Sequence, residues 1–109
     1  MTDIILSKTG IPIRLTDERW SHIIEEHCEL AGMRLDVLNT IANPIRIVEG
    51  NSGELLAYQE IETGKYLVVV YRESADDGFI ITSFLTRRIY SLNRRKQRWP
   101  HKVFQYRII

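Results

Sequence analysis

Between residues 45 and 86 the chain carries four runs that are rich in β-branched and aromatic residues, a composition typical of strands. In order they are IRIVEG, ELLAYQEI, YLVVVYRE and FIITSFLT. Only the short segments NSG, ETGK and SADDG, which contain turn residues, separate them. Connections this short join antiparallel neighbours, because a parallel pair needs a crossover of about a dozen residues or more. The sequence therefore predicts an antiparallel meander.

The segment before these strands predicts two short extended pieces and then a helix. IILSKTGIPIRL is interrupted by Gly10 and Pro12, which favours two extended pieces. Thr16 is a suitable N-cap, and the two acids that follow it are favoured by the helix dipole. Gly32 is a natural end for this helix.

A second helix is expected after Gly32. Its apolar residues fall near one stripe: Leu35, Leu38, Ile41 and Ala42. Pro44 ends it, because the residue before a proline disfavours helical geometry. The last eight residues, KVFQYRII, are expected to add an edge strand. The predicted fold is a single α+β domain over residues 1–109, with two N-terminal helices packed on an antiparallel meander sheet of four to five strands.

The composition is that of a globular domain, with 44% hydrophobic and 27% charged residues in a chain of 109. No apolar run approaches the roughly 18 residues of a membrane span, so no membrane association is expected. The early Asp3 does not fit a signal peptide. Cys28 is the only cysteine, which precludes an intramolecular disulfide and makes the cytoplasm the expected compartment.

Two histidines in the stretch ERWSHIIEEH are candidates for acid–base chemistry, because histidine titrates nearest neutral pH. Helical spacing groups His27 with an apolar stripe: Trp20, Ile23 and Ile24. His22 falls on the opposite, glutamate-rich side, and the two rings are predicted about 140° apart. No metal site is expected from this spacing. The alternatives are a hydrogen-bonded His27 at the margin of the core and a simply exposed His22.

The last two strands of the meander place an arginine and hydroxyl groups on one face. If YLVVVYRE and FIITSFLT pair in simple register, partner numbers sum to about 152. One face then carries these residues: Val68, Val70, Arg72, Ile80, Thr82, Phe84 and Thr86. Arg72 and Thr82 near an inward histidine would suit phosphodiester chemistry. A β-bulge would move these side chains to the opposite face of the sheet. The alternative role for Arg72 is that of a solvated residue at the end of a strand.

The charge of the chain is divided unevenly. Residues 1–86 hold 7 Lys and Arg against 14 Asp and Glu, whereas residues 87–109 hold 8 Lys and Arg and no acid. Such a segment can neutralise phosphates and stack on bases. The candidate RNA-binding residues are Arg87, Arg88, Arg94, Arg95, Lys96, Arg98 and Trp99. The alternative is a solvated tail that pairs with the acidic body.

Three segments together resemble the barnase–EndoU–colicin–RelE group of small ribonuclease domains, which includes phage-associated and BrnT-like toxins. They are RLTDERWSHIIEEHCEL, YLVVVYRE and GFIITSFLTRR, and the resemblance covers most of residues 12–90. The helix pattern is matched by Trp20, His22, Ile23, His27 and Glu29. The strand patterns are matched by the apolar run that ends at Arg72 and by Thr82, Phe84 and Thr86.

The resemblance implies a metal-independent endoribonuclease without a cofactor, whose nucleophile is the RNA 2′-hydroxyl. By position, His27 would be the first candidate acid or base and His22 the second. Arg72 would stabilise the transition state, while Thr82 and Thr86 would position the phosphate. RNA is then the substrate, and a cognate antitoxin protein is an implied partner.

Two other classes of function stay open from the sequence. A non-catalytic nucleic-acid-binding module would need the basic segment but not His27. A protein-interaction domain would use its basic tail to dock an acidic partner. The oligomeric state is also left open, since an exposed KVFQYRII edge could pair with another chain.

Overall fold

The computed structural model describes residues 1–101, so the edge strand predicted at KVFQYRII lies outside the described residues. The elements in chain order are β1 (Thr2–Leu6), β2 (Pro12–Thr16), α1 (Asp17–Glu26), a 3-10 turn (Cys28–Leu30), α2 (Arg34–Ala42), β3 (Arg46–Glu49), β4 (Leu55–Glu62), β5 (Lys65–Glu73), β6 (Gly78–Thr86), α3 (Tyr90–Asn93) and β7 (Gln97–Trp99). None of the described helices is long and apolar enough to cross a membrane.

All seven strands found within residues 1–101 belong to one sheet, in the order β1-β2-β6-β5-β4-β3-β7. Every neighbouring pair is antiparallel except β2 and β6, which run parallel and join Ile13 to Gly78 and Arg14 to Phe79. The predicted fold, two N-terminal helices on a meander of four to five strands, is therefore wrong. The described chain has more strands, two of which precede the helices, and α3 is a third short helix.

The physical reason for this difference is that pairing between distant strands leaves no local signal. The extended pieces around Gly10 and Pro12 were expected, and they form the β1–β2 hairpin. Their attachment to β6 depends on a contact between segments far apart in the chain. Turn residues specify neighbouring strands, but nothing near Ile13 specifies Gly78 as its partner.

Both faces of the sheet are covered. On the helix-side core, α1 and α2 pack against the central strands through Ile23, Val37 and Ile41, which meet Leu67, Val69 and Tyr71. The opposite face holds the far-side cluster: Val48, Leu56, Tyr58, Val68 and Leu92. Burial on both faces explains why the central strand, β5, has an almost unbroken run of apolar residues instead of an alternating pattern.

The β5–β6 hairpin follows the predicted register over half of its length. The residue numbers of the two partners sum to 152 in each pair from Tyr66–Thr86 to Val70–Thr82, as predicted. The register then shifts, so that Tyr71 pairs with Ile80 and the residue between, Ile81, is extra. Because of this β-bulge, the prediction that Ile80 and Arg72 share one face of the sheet is wrong. Ile80 lies in the helix-side core.

Helix α1 begins at the predicted N-cap, where the Thr16 hydroxyl accepts from the Arg19 N–H at 3.0 Å. It ends earlier than predicted, because the backbone of His27 leaves helical geometry (φ −132°, ψ 70°). Gly32, at φ 83°, follows the 3-10 turn instead of ending α1. In α2 the expected stripe is wrong at Leu35, which is 79% exposed.

Candidate functional site

A groove lies between α1 and β6, where β2 separates from the sheet. Strand β2 pairs with β6 through two residues only, and the chain then turns into α1 at Thr16. The resulting α1–β6 groove encloses about 280 Å³ and is lined by Arg19, His22, Ile23, Glu26, His27, Ile81 and Thr82. The bulge residue Ile81 and its neighbour Thr82 form the sheet side of this groove.

Both histidines line this groove, although helical rotation predicts that they lie on different sides of the helix. The difference arises because α1 ends at Glu26, so the rotation of 100° per residue does not extend to His27. The side chain of His27 is 30% exposed, and its ring centroid lies 6.4 Å from that of Phe84. His22 is more open, with 58% of its side chain exposed.

Each histidine has a carboxylate near its Nδ1 atom. His27 Nδ1 is 3.5 Å from Glu29 Oε1, and His22 Nδ1 is 4.0 Å from Glu25 Oε2. A carboxylate beside one ring nitrogen favours one orientation of the ring, while the other nitrogen stays available for proton transfer. The groove therefore brings together two imidazoles, each with a carboxylate near one ring nitrogen.

Arg19 is the cation of the groove, and sequence reasoning did not select it. It also lines an adjoining opening of about 320 Å³ with Thr16, Glu18, His22 and Glu26. Arg19 precedes His22 by three residues, a spacing that places two side chains on the same side of a helix. That spacing was the signal that could have identified it.

Two of the predicted catalytic residues do not line the groove. The Nη1 atom of Arg72 lies 3.2 Å from the position that a β-carbon on Gly53 would take, beside the turn between β3 and β4. There its charge helps to lower the pKa of Glu54, after the larger effect of a hydrogen bond from the Ser52 N–H. Thr86 Oγ1 accepts from the Arg88 N–H at 2.9 Å, so it caps the turn that follows β6.

The predicted RNA-binding residues divide into two groups. Most of them have partners in the folded chain: Arg87 pairs with Glu62, Lys96 and Arg98 pair with Glu49, Arg95 donates to Asn51, and Trp99 packs on the helix-side core beneath Lys8. The others, Arg88 and Arg94, line an opening of about 550 Å³ with Tyr90 and Ser91. These four residues are called the α3 surface below.

Comparison with known proteins finds no matching family model, no matching curated protein and no matching solved structure. The resemblance to the small ribonuclease domains thus rests on the residues quoted for it. Within residues 1–101, no group of three or more His, Cys, Asp or Glu side chains is placed to hold a metal ion.

Proposed function

We propose that this chain is a metal-independent endoribonuclease that cleaves RNA in the α1–β6 groove. One observation carries the proposal: two histidines, each beside a carboxylate, line one groove together with an arginine and a threonine. Acid–base cleavage of a phosphodiester needs two proton-transfer groups and a positive charge at the phosphate. His22, His27 and Arg19 supply these groups.

In the proposed reaction, one neutral histidine takes the proton of the RNA 2′-hydroxyl while its oxygen attacks the adjacent phosphorus. The bond between phosphorus and the 5′-oxygen breaks, and the other histidine, in its protonated form, gives its proton to that oxygen. The products are a 2′,3′-cyclic phosphate and a 5′-hydroxyl. Arg19 neutralises the charge on the phosphate oxygens, and the Thr82 hydroxyl donates to one of them.

The resemblance supplies the biological setting of this proposal. An endoribonuclease of the toxin type would act in the cytoplasm, the compartment that a single cysteine favours. A small antitoxin protein is the corresponding partner, which would hold the enzyme inactive until it is released.

The test is cleavage of a single-stranded RNA oligonucleotide by the purified protein in EDTA. We expect His27→Asn and His22→Asn each to slow cleavage by about 10²- to 10⁴-fold, the usual contribution of a positioned acid or base. His101→Asn is the matched control, because His101 is exposed and does not line the groove. An oligonucleotide without 2′-hydroxyls should not be cut, and the RNA product should carry a cyclic phosphate.

Full activity in the His22→Asn/His27→Asn double variant would contradict this proposal. So would cleavage that needs a divalent metal ion. Salt-sensitive binding of RNA without strand scission would instead indicate the second candidate function, a non-catalytic nucleic-acid-binding module. The observation that favours this second candidate is the pair of arginines beside an exposed tyrosine on the α3 surface.

A further inference from the structure

The α3 surface brings an exposed aromatic ring and two cations to one opening. Tyr90 is 76% exposed, one of the largest exposures of an aromatic side chain in residues 1–101. Arg88 and Arg94 line the same opening of about 550 Å³. Neither arginine belongs to an ion pair formed within residues 1–101, whereas other cations of the basic segment pair with Glu49 and Glu62.

This surface is attached to the sheet by several contacts, although α3 has only four residues. Leu92 is buried in the far-side cluster. Asn93 Oδ1 accepts from the Tyr58 hydroxyl at 2.6 Å and from Arg46 Nη1 at 2.8 Å. Because Tyr58 is fully buried, these bonds fix the inner side of α3 to the sheet. The outer side, with Tyr90 and Arg94, is consequently presented to solvent in a defined position.

The positive charge extends beyond this opening. Arg94 also lines a second opening of about 350 Å³, together with Arg46, Asn93, Arg95, Lys96 and Gln97. The two openings share Arg94, so further cations lie next to the α3 surface. Cations that follow a backbone beside an exposed aromatic ring are the features by which proteins hold single-stranded nucleic acid.

We infer that the α3 surface is a binding subsite for single-stranded RNA, in which one base stacks on Tyr90 while Arg88 and Arg94 hold the flanking phosphates. The identification of the strand as a substrate rests on the proposed endoribonuclease function. None of the four residues that line this subsite lines the α1–β6 groove. The subsite therefore anchors RNA outside the region where it is cut.

The test is a binding titration with a fluorescently labelled single-stranded oligonucleotide of about ten nucleotides. Its 2′-hydroxyls are methylated, so that it cannot be cleaved by 2′-hydroxyl attack. We expect Tyr90→Ala to weaken binding by about tenfold and Tyr90→Phe to keep most of the affinity, because stacking needs the ring and not the hydroxyl. Arg94→Gln should reduce the slope of log K against log salt by about 0.7, the value for one phosphate on a single strand.

Arg87→Gln is the matched control, since Arg87 is a cation of the same segment that pairs with Glu62 and does not line the subsite. It should change the affinity less than Arg94→Gln does. Each of these substitutions alters an exposed side chain, so the fold should be kept. Thermal unfolding of each variant verifies this.

Wild-type affinity in Tyr90→Ala would overturn the inference. Absence of binding by the wild-type protein at low salt, or equal affinity for a duplex of the same sequence, would also overturn it. Failure of the endoribonuclease function is a separate result. Loss of affinity in Tyr90→Ala, in a protein that cuts no RNA, would support the subsite and contradict the catalytic proposal.

Discussion

At the scale of single residues, Tyr71 is unusual because its hydroxyl is buried without a hydrogen-bond partner in the described part of the chain. The residue is fully buried in the helix-side core. A buried polar group without a partner has lost its bonds to water and gained nothing in exchange. The hydroxyl of Tyr71 therefore reduces the stability of the fold.

Replacing Tyr71 with phenylalanine should leave the free energy of unfolding at neutral pH unchanged or raise it by about 1 kcal/mol. Burial raises the pKa of the Tyr71 hydroxyl above its ordinary value of 10.0. The unfolded chain therefore loses this proton first as the pH rises, and stability falls above about pH 10. Tyr71→Phe lacks that contribution, so its decline in alkali should be shallower.

Denaturant unfolding at pH 7 and at pH 10.5 measures both effects of this substitution. Tyr90→Phe is a suitable comparison, because Tyr90 is 76% exposed and its substitution makes the same chemical change at the surface. A clear loss of stability at pH 7 in Tyr71→Phe would show that its hydroxyl has a partner after all.

The candidate site shows what residue patterns could and could not predict. His22, His27 and Thr82 were selected from sequence, and the structure brings them to one groove. Arg72 was selected because an apolar strand ends in it, but strand position does not say where a long side chain reaches. The meeting of the histidines depends on one backbone conformation, that of His27, which helical periodicity cannot predict.

At the scale of secondary structure, Gly78 occupies the point where three strands meet. It begins β6, pairs with Glu73 of β5 and pairs with Ile13 of β2. A β-carbon at Gly78 would collide with the backbone carbonyl of Arg72 and with the side chain of Ile13. Only a residue without a side chain lets the parallel strand approach here.

We expect Gly78→Ala to lower the free energy of unfolding by about 1–3 kcal/mol, the typical cost of forcing extra atoms into a packed region. Gly50→Ala is the matched control, because the three atoms nearest to the added carbon there belong to the side chain of Glu54 and none belongs to the backbone. The loss of unfolding free energy in Gly50→Ala should be smaller than that in Gly78→Ala. Equal losses in the two variants would contradict the close approach of β2 to β6. Denaturant unfolding of both variants gives the comparison.

The strands themselves were largely predictable, and the assembly of the sheet was not. The four runs between residues 45 and 86 became β3, β4, β5 and β6, because each has strand composition and short turns at its ends. The bulge at Ile81 has no comparable signal, since the run around it is uniformly suited to a strand. The parallel attachment of β2 depends on surfaces that exist only after folding.

At the scale of the whole molecule, Arg34 connects α2 to β1 and to α1. Its guanidinium donates to Asp3 of β1 and to Asp17 of α1, at 2.8 Å in each case. The N-terminal ammonium of Met1 donates to the other oxygen of Asp17 at 2.9 Å. These bonds join β1, α1 and α2 at one corner of the helix-side layer.

The hydrogen bond from the Met1 ammonium, and then that from Arg34, lowers the pKa of Asp17 below its ordinary value of 3.8. Because the folded state holds this carboxyl ionised, its contribution to stability is present above that value and is lost as the pH falls through the lowered one. We expect Arg34→Gln to lower the thermal midpoint at pH 7, by an amount that narrows below about pH 4 as the carboxyls are protonated.

Calorimetry over a pH series measures this narrowing. Arg14→Gln serves as the control, because Arg14 and Asp77 form a pair in which both side chains are about half exposed. Such exposed pairs contribute little, so this variant should unfold close to the wild type at every pH. A difference between Arg34→Gln and wild type that is constant with pH would contradict the role given to Asp17.

The parallel junction between β2 and β6 also determines when the molecule becomes complete during its synthesis. Helix α1 leaves the ribosome long before β6 exists, and the two can meet only after Gly78 and the residues that follow it have been translated. Contacts this distant in the chain form late in folding. A nascent chain thus carries both histidines before the groove between α1 and β6 can form. The proposed endoribonuclease would therefore become active only after β6 has been translated.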